Sequence, residues 1–358
     1  MDILAAAQLV ARGQERIWAL LTAMTGASKL PSTLLFTGPA GAGKELAAVR
    51  LAALLECRQD APCGACPACR KISSLEHPDV HLLCATPSGD LDKMTAEALD
   101  GRREDFFAAG EPGGRARSTG IDAVRRVTER VSRQPFEGPR SVVIVLEADL
   151  ATTEAQNALL KLLEEPPAST VIVLVTSRAD RLLPTIVSRC REMRFEALPP
   201  ETVSAFLETF HSVEPEEARR LATEADGDIR RAARLLDERF IELRRDAVSL
   251  LRLVLEGQVR RGPAAAEEIA RSWSRDEARE LFEEMTSLLR GLLRAGAGGD
   301  AGEAAVRAVG KKAAGAAAAR DLPADMRRIA EAGASLRRNA DTELTVAQLL
   351  LDLAGKWY

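Results

Sequence analysis

Three short stretches in the first half of the chain are almost continuously apolar, without the alternation of polar residues seen in half-exposed strands. They lie at residues 33–37, 141–146 and 170–176. Such runs are typical of strands that are buried on both faces in a parallel sheet. Residues 152–163 instead carry apolar side chains at helical spacing, and the prolines at 166–167 end that helix. The first two hundred residues are therefore predicted to form a doubly wound α/β domain.

The pattern changes after Phe195, where strand-like runs stop and helical segments follow one another with short breaks. We predict an α/β domain at residues 1–196, a small helical lid domain at 197–240 and a helical C-terminal domain at 241–358. This order of elements favours an α/β class followed by two all-helical domains.

Two segments depart from the regular pattern. Residues 86–119 are polar and are punctuated by glycine and proline, which predicts a surface insertion to which we assign no role. Residues 295–319 are rich in alanine and glycine, with few side chains large enough to fill a core. They are predicted to form a loosely packed helix or a mobile connection.

Composition restricts the class of protein. Hydrophobic residues make up 46% and charged residues 28% of the chain, as in ordinary soluble proteins. No apolar run reaches the roughly 18 residues of a membrane span, and the first residues include an acid and no basic leader, so a cytoplasmic location is expected. The formal net charge of −4 argues against a protein that holds DNA by itself, because phosphate contacts need a basic surface.

A glycine-rich loop between the first predicted strand and a helix carries the clearest chemistry. Gly38, Gly41, Gly43 and Lys44 fit the spacing G-x-x-x-x-G-K. The glycines allow backbone N–H groups to turn towards a phosphate, and the lysine adds a positive charge. The alternative interpretation is a glycine-rich turn before an ordinary helix. The combination of strand, loop, lysine and helix favours a nucleotide-binding phosphate loop.

The residues that should hold Mg²⁺ beside such a loop are replaced. The residue after the lysine should be Ser or Thr, whose hydroxyl ligates the metal, but it is Glu45. The second residue that supports Mg²⁺ should be an Asp at the end of a buried strand. Leu146 occupies that place, which leaves Glu147 as the nearest acid. Because two independent positions are altered, we predict an ATPase that is inactive or only weakly active, in which binding of ATP and Mg²⁺ is in doubt.

Four of the six cysteines lie within thirteen residues, at Cys57, Cys63, Cys66 and Cys69. Four thiolates this close in sequence can surround Zn²⁺ tetrahedrally in a structural site. An iron–sulfur cluster is the alternative, since C-x2-C-x2-C begins a ferredoxin pattern, but the next cysteine of that pattern would fall at Ser73. The spacing favours zinc.

At this point the chain resembles clamp-loader subunits of the AAA+ family. The resemblance rests on the phosphate loop, on the four-cysteine module inserted after the first helix, and on short motifs that run in order through most of the chain. These motifs are Gly13-Gln14-Glu15, His77-Pro78-Asp79, the N-A-L-L-K-L-L-E-E-P-P stretch at 157–167, the L-P-T-I-V-S-R-C stretch at 183–190 and Gly227-Asp228-Ile229-Arg230.

The resemblance implies roles for three matched residues. Arg189 resembles the arginine finger that reaches into the ATP site of a neighbouring subunit, Arg230 the sensor arginine of the lid, and Thr176 a sensor on the preceding strand. Arg189 could instead be a surface arginine paired within its own domain, and Arg230 could belong to a solvated helix face. The helices of 241–358 resemble the collar that joins subunits into a ring of five.

Within this family, gamma/tau subunits carry the intact metal residues and delta-prime subunits often carry degenerate ones, so Glu45 and Leu146 favour the delta-prime type. The resemblance then implies a subunit of the DNA polymerase III clamp loader that helps place the sliding clamp on primed DNA, with delta and gamma/tau subunits as partners. The alternatives are an active gamma/tau-type ATPase that uses Lys44 and Glu147, and a zinc-containing P-loop nucleotide kinase or regulatory protein.

Overall fold

The computed structural model divides the chain into two compact units. The first contains the described residues of 1–222 together with 227–231, and the second contains those of 223–226 and 232–354. Among the described residues, no helix is both long and apolar enough to cross a membrane. The structure describes all residues except 60, 88, 90, 108–116, 296–299 and 355–358, and side chains are also left undescribed at 259, 300–304 and 337.

The first unit is built on a five-stranded sheet in which every pairing is parallel. The strand order is β2-β5-β6-β1-β7, and a separate two-stranded antiparallel ribbon pairs β3 with β4. The strands are β1 (Thr33–Thr37), β2 (Val80–Leu83), β3 (Thr86–Pro87), β4 (Arg117–Ser118), β5 (Ser141–Val145), β6 (Thr170–Val175) and β7 (Arg191–Arg194). The three continuous apolar runs are therefore confirmed as the central strands β1, β5 and β6.

The central strands are almost continuously apolar because helices cover both faces of the sheet. The helices of this unit are α1 (Ile3–Arg12), α2 (Glu15–Gly26), α3 (Lys44–Glu56), α4 (Pro67–Ser73), α5 (Leu91–Glu104), α6 (Ile121–Val131), α7 (Thr153–Glu164), α8 (Pro184–Arg189) and α9 (Pro200–His211). Leu35, Val143 and Ile172 lie in one core cluster with residues of α6, α7 and α8. Their neighbours Leu34 and Val142 are equally buried and point to the opposite face, where α3 contacts β5 and β6. The predicted doubly wound α/β class is confirmed.

The segment at 86–119, predicted to be a surface insertion, contains a mostly exposed or half-buried helix with a buried end. Residues 91–104 form α5, and two residues near its end are buried, with Arg102 4% and Phe106 1% exposed. Phe107, next in the chain, stacks edge-on against Phe206 of α9 with ring centroids 5.9 Å apart. Apolar anchoring therefore fixes the end of α5 to the α/β unit. The remainder of the predicted insertion, at 108–116, lies outside the described residues.

Two helices, α10 (Pro215–Ala225) and α11 (Ile229–Arg234), have residues in both units. The first unit also includes α9, which contacts α1. The predicted domain boundaries at 196/197 and 240/241 stay a prediction. Short 3-10 turns lie at Ala148–Leu150, Ala179–Arg181 and Val259–Arg261.

The second unit is helical. Its helices are α12 (Glu238–Leu255), α13 (Gly262–Ser272), α14 (Arg275–Ala295), α15 (Asp300–Val309), α16 (Lys311–Ala317), α17 (Leu322–Arg337) and α18 (Thr342–Ala354). The long α14 contacts α12, α15 and α17, while α18 contacts α13 and α17. Within the alanine-rich segment at 295–319, the described residues 300–309 and 311–317 form α15 and α16, which bury Val309, Ala313 and Ala317. Small side chains let these helices pack closely, so this segment belongs to the core of the unit.

Candidate functional site

The glycine-rich loop connects β1 to α3 in the conformation that its glycines predict. Gly38, Gly41 and Gly43 have φ angles of +136°, +64° and +81°, a region that side chains with a Cβ rarely enter. An added Cβ at Gly41 would lie 1.7 Å from Asp228 Oδ1, and the N–H of Ile229 donates to Gly41 O at 3.2 Å. The loop is therefore held directly against the start of α11.

Lys44 is folded back onto the loop that it follows. Its ammonium donates to Gly38 O at 2.9 Å, to Pro39 O and to Ser177 Oγ at 3.0 Å. Only 5% of the residue is exposed, and burial, followed by the charge of Arg230, lowers its pKa from 10.5 to about 8. The loop carbonyls hold the lysine in the place where it would otherwise contact a phosphate.

Glu45 is a buried carboxylate held by two arginines. Arg230 forms an ion pair with its Oε1, and Arg102 Nη1 lies 3.8 Å from its Oε2. Burial alone would raise the pKa of Glu45, but the charges of Arg230 and Arg102 lower it below the ordinary value, so the group is ionised. Arg230 thus points at the phosphate loop with 28% of its side chain exposed, and the alternative of a solvated helix face does not describe it. Its sensor role stays a prediction.

Ion pairs also form next to the second metal position. Leu146, which stands where an Asp is expected, is fully buried. Glu147, the following residue, has a positive φ of +48° and accepts from Arg117 Nη1 at 3.1 Å and Nη2 at 3.2 Å. Arg102 Nη2 lies 3.7 Å from the same carboxylate. Glu45 and Glu147 are therefore brought together, and Arg102 connects them.

Sequence reasoning missed Arg102 and Arg117 because both lie in the segment interpreted as an insertion. Thr176, by contrast, lies where the resemblance placed it, at the end of β6. Its hydroxyl donates to Asp149 Oδ1 at 2.5 Å and accepts from the N–H of Arg178 at 2.9 Å. The hydrogen bonds fix Thr176 beside the strand ends that carry the loop, while its role as a sensor stays a prediction.

Arg189 lies apart from these groups, at the end of α8. Its guanidinium donates to Thr185 O at 3.1 Å and pairs with Glu164 Oε1 at 2.7 Å. The side chain of Arg189 is 38% exposed and that of Glu164 47% exposed. The short helix itself is anchored by Ile186, which is fully buried in the core cluster. A rigid support therefore presents an exposed arginine, whose role in a neighbouring subunit stays a prediction.

The four clustered cysteines converge on one point. Cys57 ends α3, and Cys66 begins α4, which also carries Cys69. The sulfurs of Cys57 and Cys66 are 3.9 Å apart and those of Cys63 and Cys69 are 4.0 Å apart, and all four lie within 4.8 Å of one another. Sulfurs at about 2.3 Å from a central zinc would be separated by about 3.8 Å in a regular tetrahedron.

The arrangement of these sulfurs therefore fits a single tetrahedral metal ion. The N–H of Cys66 lies 3.3 Å from Cys63 Sγ, and that of Cys69 lies 3.4 Å from Cys66 Sγ. Backbone donors of this kind stabilise thiolates, and those from Cys66 and Ala65 lower the pKa of Cys63 to about 6. An iron–sulfur cluster would need its ligands on different iron atoms and further apart.

Fold and site together define the class: an α/β protein with a P-loop between β1 and α3 and an inserted four-cysteine module. Residues 13–199 match the family model described as DNA polymerase III, delta subunit. The chain therefore belongs to the DNA polymerase III clamp-loader family that contains the gamma/tau and delta' subunits. Membership of this family favours the clamp-loader interpretations over a zinc-containing P-loop nucleotide kinase or regulatory protein.

Individual relatives include both kinds of subunit. The chain is 32% identical to the gamma/tau subunit of Mycobacterium tuberculosis over 54% of this chain and 29% of that protein. It is 31% identical to the delta' subunit of Bacillus subtilis over 66% and 64% of the two chains, and 30% identical to that of Pseudomonas aeruginosa over 78% and 76%. The aligned part spans less than two thirds of the first two relatives.

Proposed function

We propose that this chain is a delta-prime-type clamp-loader subunit that hydrolyses no ATP itself and supplies Arg189 to the ATP site of a neighbour. The observation that carries the proposal is the buried Glu45 at the position of the metal-binding hydroxyl, already paired with Arg230. In the assembled loader, its partners would be delta and gamma/tau subunits, the sliding clamp and primed DNA. A cytoplasmic location belongs to the same proposal, since the relatives are named as DNA polymerase III subunits.

The contacts of the phosphate loop support the lack of hydrolysis. A bound Mg²⁺–ATP would require Lys44 to leave three oxygen acceptors and would place its phosphates beside the Glu45 carboxylate. Negative charges that lie close together repel each other strongly in a buried site. Both features therefore disfavour a metal–nucleotide complex at this loop.

The setting of Arg189 supports the role in trans. The ion pair between Arg189 and Glu164 is exposed on both sides, and such pairs contribute only about 0–1 kcal/mol. A developing phosphate charge in a neighbouring site can therefore draw the guanidinium away at little cost. Arginine is suited to this task because its planar group presents five donors and is always charged.

The direct test is Arg189→Ala in a reconstituted loader. ATP turnover by the assembly should fall by about the share of the one site that Arg189 serves. Such arginines contribute on the order of 10³–10⁵ in GTPases, but the other sites of the assembly keep their own. Arg189→Lys should restore little, because a point charge does not reproduce the fork. Arg271→Ala is the matched control, an exposed arginine paired within its own helix. Clamp loading by Arg189→Ala at the wild-type rate contradicts the role.

The alternative of an active gamma/tau-type ATPase is favoured by one observation, the identity of 32% to a gamma/tau subunit. In that case Lys44 and Glu147 would act on the nucleotide. Lys44→Ala separates the two proposals. Turnover by the assembled loader should stay near the wild-type value if this chain is structural, and a large loss supports the active ATPase.

We also propose that Cys57, Cys63, Cys66 and Cys69 hold one structural Zn²⁺. The support is their tetrahedral separation and the all-sulfur donor set. Elemental analysis should find about one zinc and no iron per chain, and Cys63→Ser should reduce the zinc content. Cys84→Ser, at a buried cysteine outside the cluster, should leave it unchanged. A brown protein that contains iron contradicts the assignment.

A further inference from the structure

Arg102 lies between two acids, one at the first altered metal position and one next to the second. Its Nη1 is 3.8 Å from Glu45 Oε2, and its Nη2 is 3.7 Å from Glu147 Oε2. In P-loop proteins, Mg²⁺ is supported by the residue after the loop lysine and by an acid after a central strand. Glu45 stands at the first of these positions, and Glu147 is adjacent to the second. A guanidinium thus lies between the side chain at one metal position and the acid that follows the other.

We propose that Arg102 is a built-in cation that takes the place of the metal ion. It neutralises Glu45 and Glu147 and holds α5 against the phosphate loop. The inference rests on the proposed function, because only a subunit that hydrolyses no ATP can dispense with the metal. It also explains why a glutamate is tolerated beside the loop lysine, since a buried carboxylate needs a compensating charge.

The backbone fixes where the guanidinium lies. Arg102 Nη1 donates to Phe106 O at 3.1 Å, and the Phe106 ring is buried to 1% exposure. The Arg102 side chain is itself only 5% exposed. These contacts hold the guanidinium in place between the two carboxylates.

The surrounding charges show what Arg102 alone supplies. Glu45 retains Arg230 and Glu147 retains Arg117 as second partners. Among the described residues, however, no hydrogen-bond donor reaches Glu45 Oε2, so the charge of Arg102 is the support of that oxygen. Without Arg102, this oxygen and Glu147 Oε2 would lose the cation that lies between them. Oxygen ligands of this kind suit Mg²⁺ or Mn²⁺.

The experiment measures whether a divalent ion can replace the guanidinium. Full-length Arg102→Ala is unfolded by heat with and without millimolar MgCl2 or MnCl2, and Mn²⁺ binding is followed by electron paramagnetic resonance. The variant should melt at a lower temperature than wild type, and either ion should raise its Tm by about 5 °C, as expected for binding well above Kd. Wild type should show neither Mn²⁺ binding at this site nor a Tm rise.

Two further variants keep the result interpretable. Arg103→Ala removes an exposed arginine of the same helix, which pairs with Asp100, and should behave as wild type. If Arg102→Ala does not fold, Arg102→Gln preserves a donor towards Phe106 O while removing the charge, and should show the same response to Mn²⁺.

Folded Arg102 variants that bind no divalent ion overturn the proposal, as does an equal Tm rise in wild type. This outcome is distinct from failure of the proposed function. ATP hydrolysis by the isolated wild-type chain, or full turnover by a loader that carries Arg189→Ala, would count against the proposed function whatever the cation experiment shows.

Discussion

Replacing Asp79 by alanine should destabilise the α/β unit, because one carboxylate holds an entire turn. Asp79 begins the strand pairing of β2, where its carbonyl accepts from Val142 N at 2.8 Å. Its side chain accepts from three consecutive backbone N–H groups, of Phe136 at 2.5 Å, Glu137 at 2.9 Å and Gly138 at 2.9 Å. These amides belong to the connection between α6 and β5.

The magnitude follows from this geometry. Hydrogen bonds to a charged group contribute about 1.5–3 kcal/mol each, and bonds to one acceptor are not additive. We expect Asp79→Ala to reduce the free energy of unfolding by about 3–5 kcal/mol. Asp79→Asn, which keeps one carbonyl acceptor and loses the charge, should cost about 2 kcal/mol.

The pH dependence has a defined sign. Burial would raise the pKa of Asp79, but the three N–H donors outweigh it and lower the pKa below the ordinary value. The stabilisation is therefore fully present above the pKa of Asp79 in the unfolded chain, about 3.9. It is lost as the pH falls through the lower pKa of Asp79 in the folded chain. Asp79→Asn should lack this acid-dependent component.

Native-state hydrogen exchange read by mass spectrometry provides the assay. Peptides that cover residues 136–145 should lose protection in Asp79→Asn, first at the turn and then in β5. Glu129→Ala is the control, because it removes an exposed carboxylate of α6. Unchanged protection of the turn in the Asp79 variants would refute the reasoning.

Other predictions address the phosphate loop and the helical unit. Leu350 is 2% exposed, so Leu350→Ala should destabilise the second unit by about 2–5 kcal/mol. The same variant should weaken co-elution with partner subunits. Leu344 is 71% exposed, and Leu344→Ala should have neither effect. Gly41→Ala should lower the Tm of the first unit, with a cost of about 1–3 kcal/mol, because its Cβ would collide with Asp228; an unchanged Tm would contradict the loop geometry. The pKa of Lys44 in the folded chain is about 8, below its ordinary value of 10.5. Between these two pH values the unfolded chain binds more protons than the folded chain. The free energy of unfolding should therefore rise with pH across this window, by up to about 3 kcal/mol. Urea midpoints of Lys44→Met should lack this rise.

Sequence reasoning located the sheet where hydrophobicity was continuous. The runs that became β1, β5 and β6 are buried on both faces, so their composition reports their position directly. It gave no strand at β7, whose sequence Arg191-Glu192-Met193-Arg194 is mostly charged. This strand pairs at the sheet edge beside β1, and only Met193 is buried. Edge strands exposed on most of their surface carry no such signal.

The candidate site was predictable only where its residues are close in sequence. The phosphate loop and the cysteine module are local patterns, whose spacing is itself the signal. Arg102 is far from Glu45 in sequence and comes close to it only in the folded chain. Its helix α5 is polar along most of its length. Neither spacing nor periodicity reports a contact of that kind, and the glycine and proline residues near 110 favoured a loop over the buried end of a helix.

The contrast between the two arginine settings has a consequence for ionic strength. Dissolved ions screen exposed charges over about 8 Å at physiological concentration, whereas buried pairs are screened much less. Added salt should therefore release Arg189 from Glu164, whose side chains are both open to solvent, while Arg102 keeps its place between Glu45 and Glu147. A salt titration can therefore weaken the ion pair of Arg189 while the setting of Arg102 stays constant.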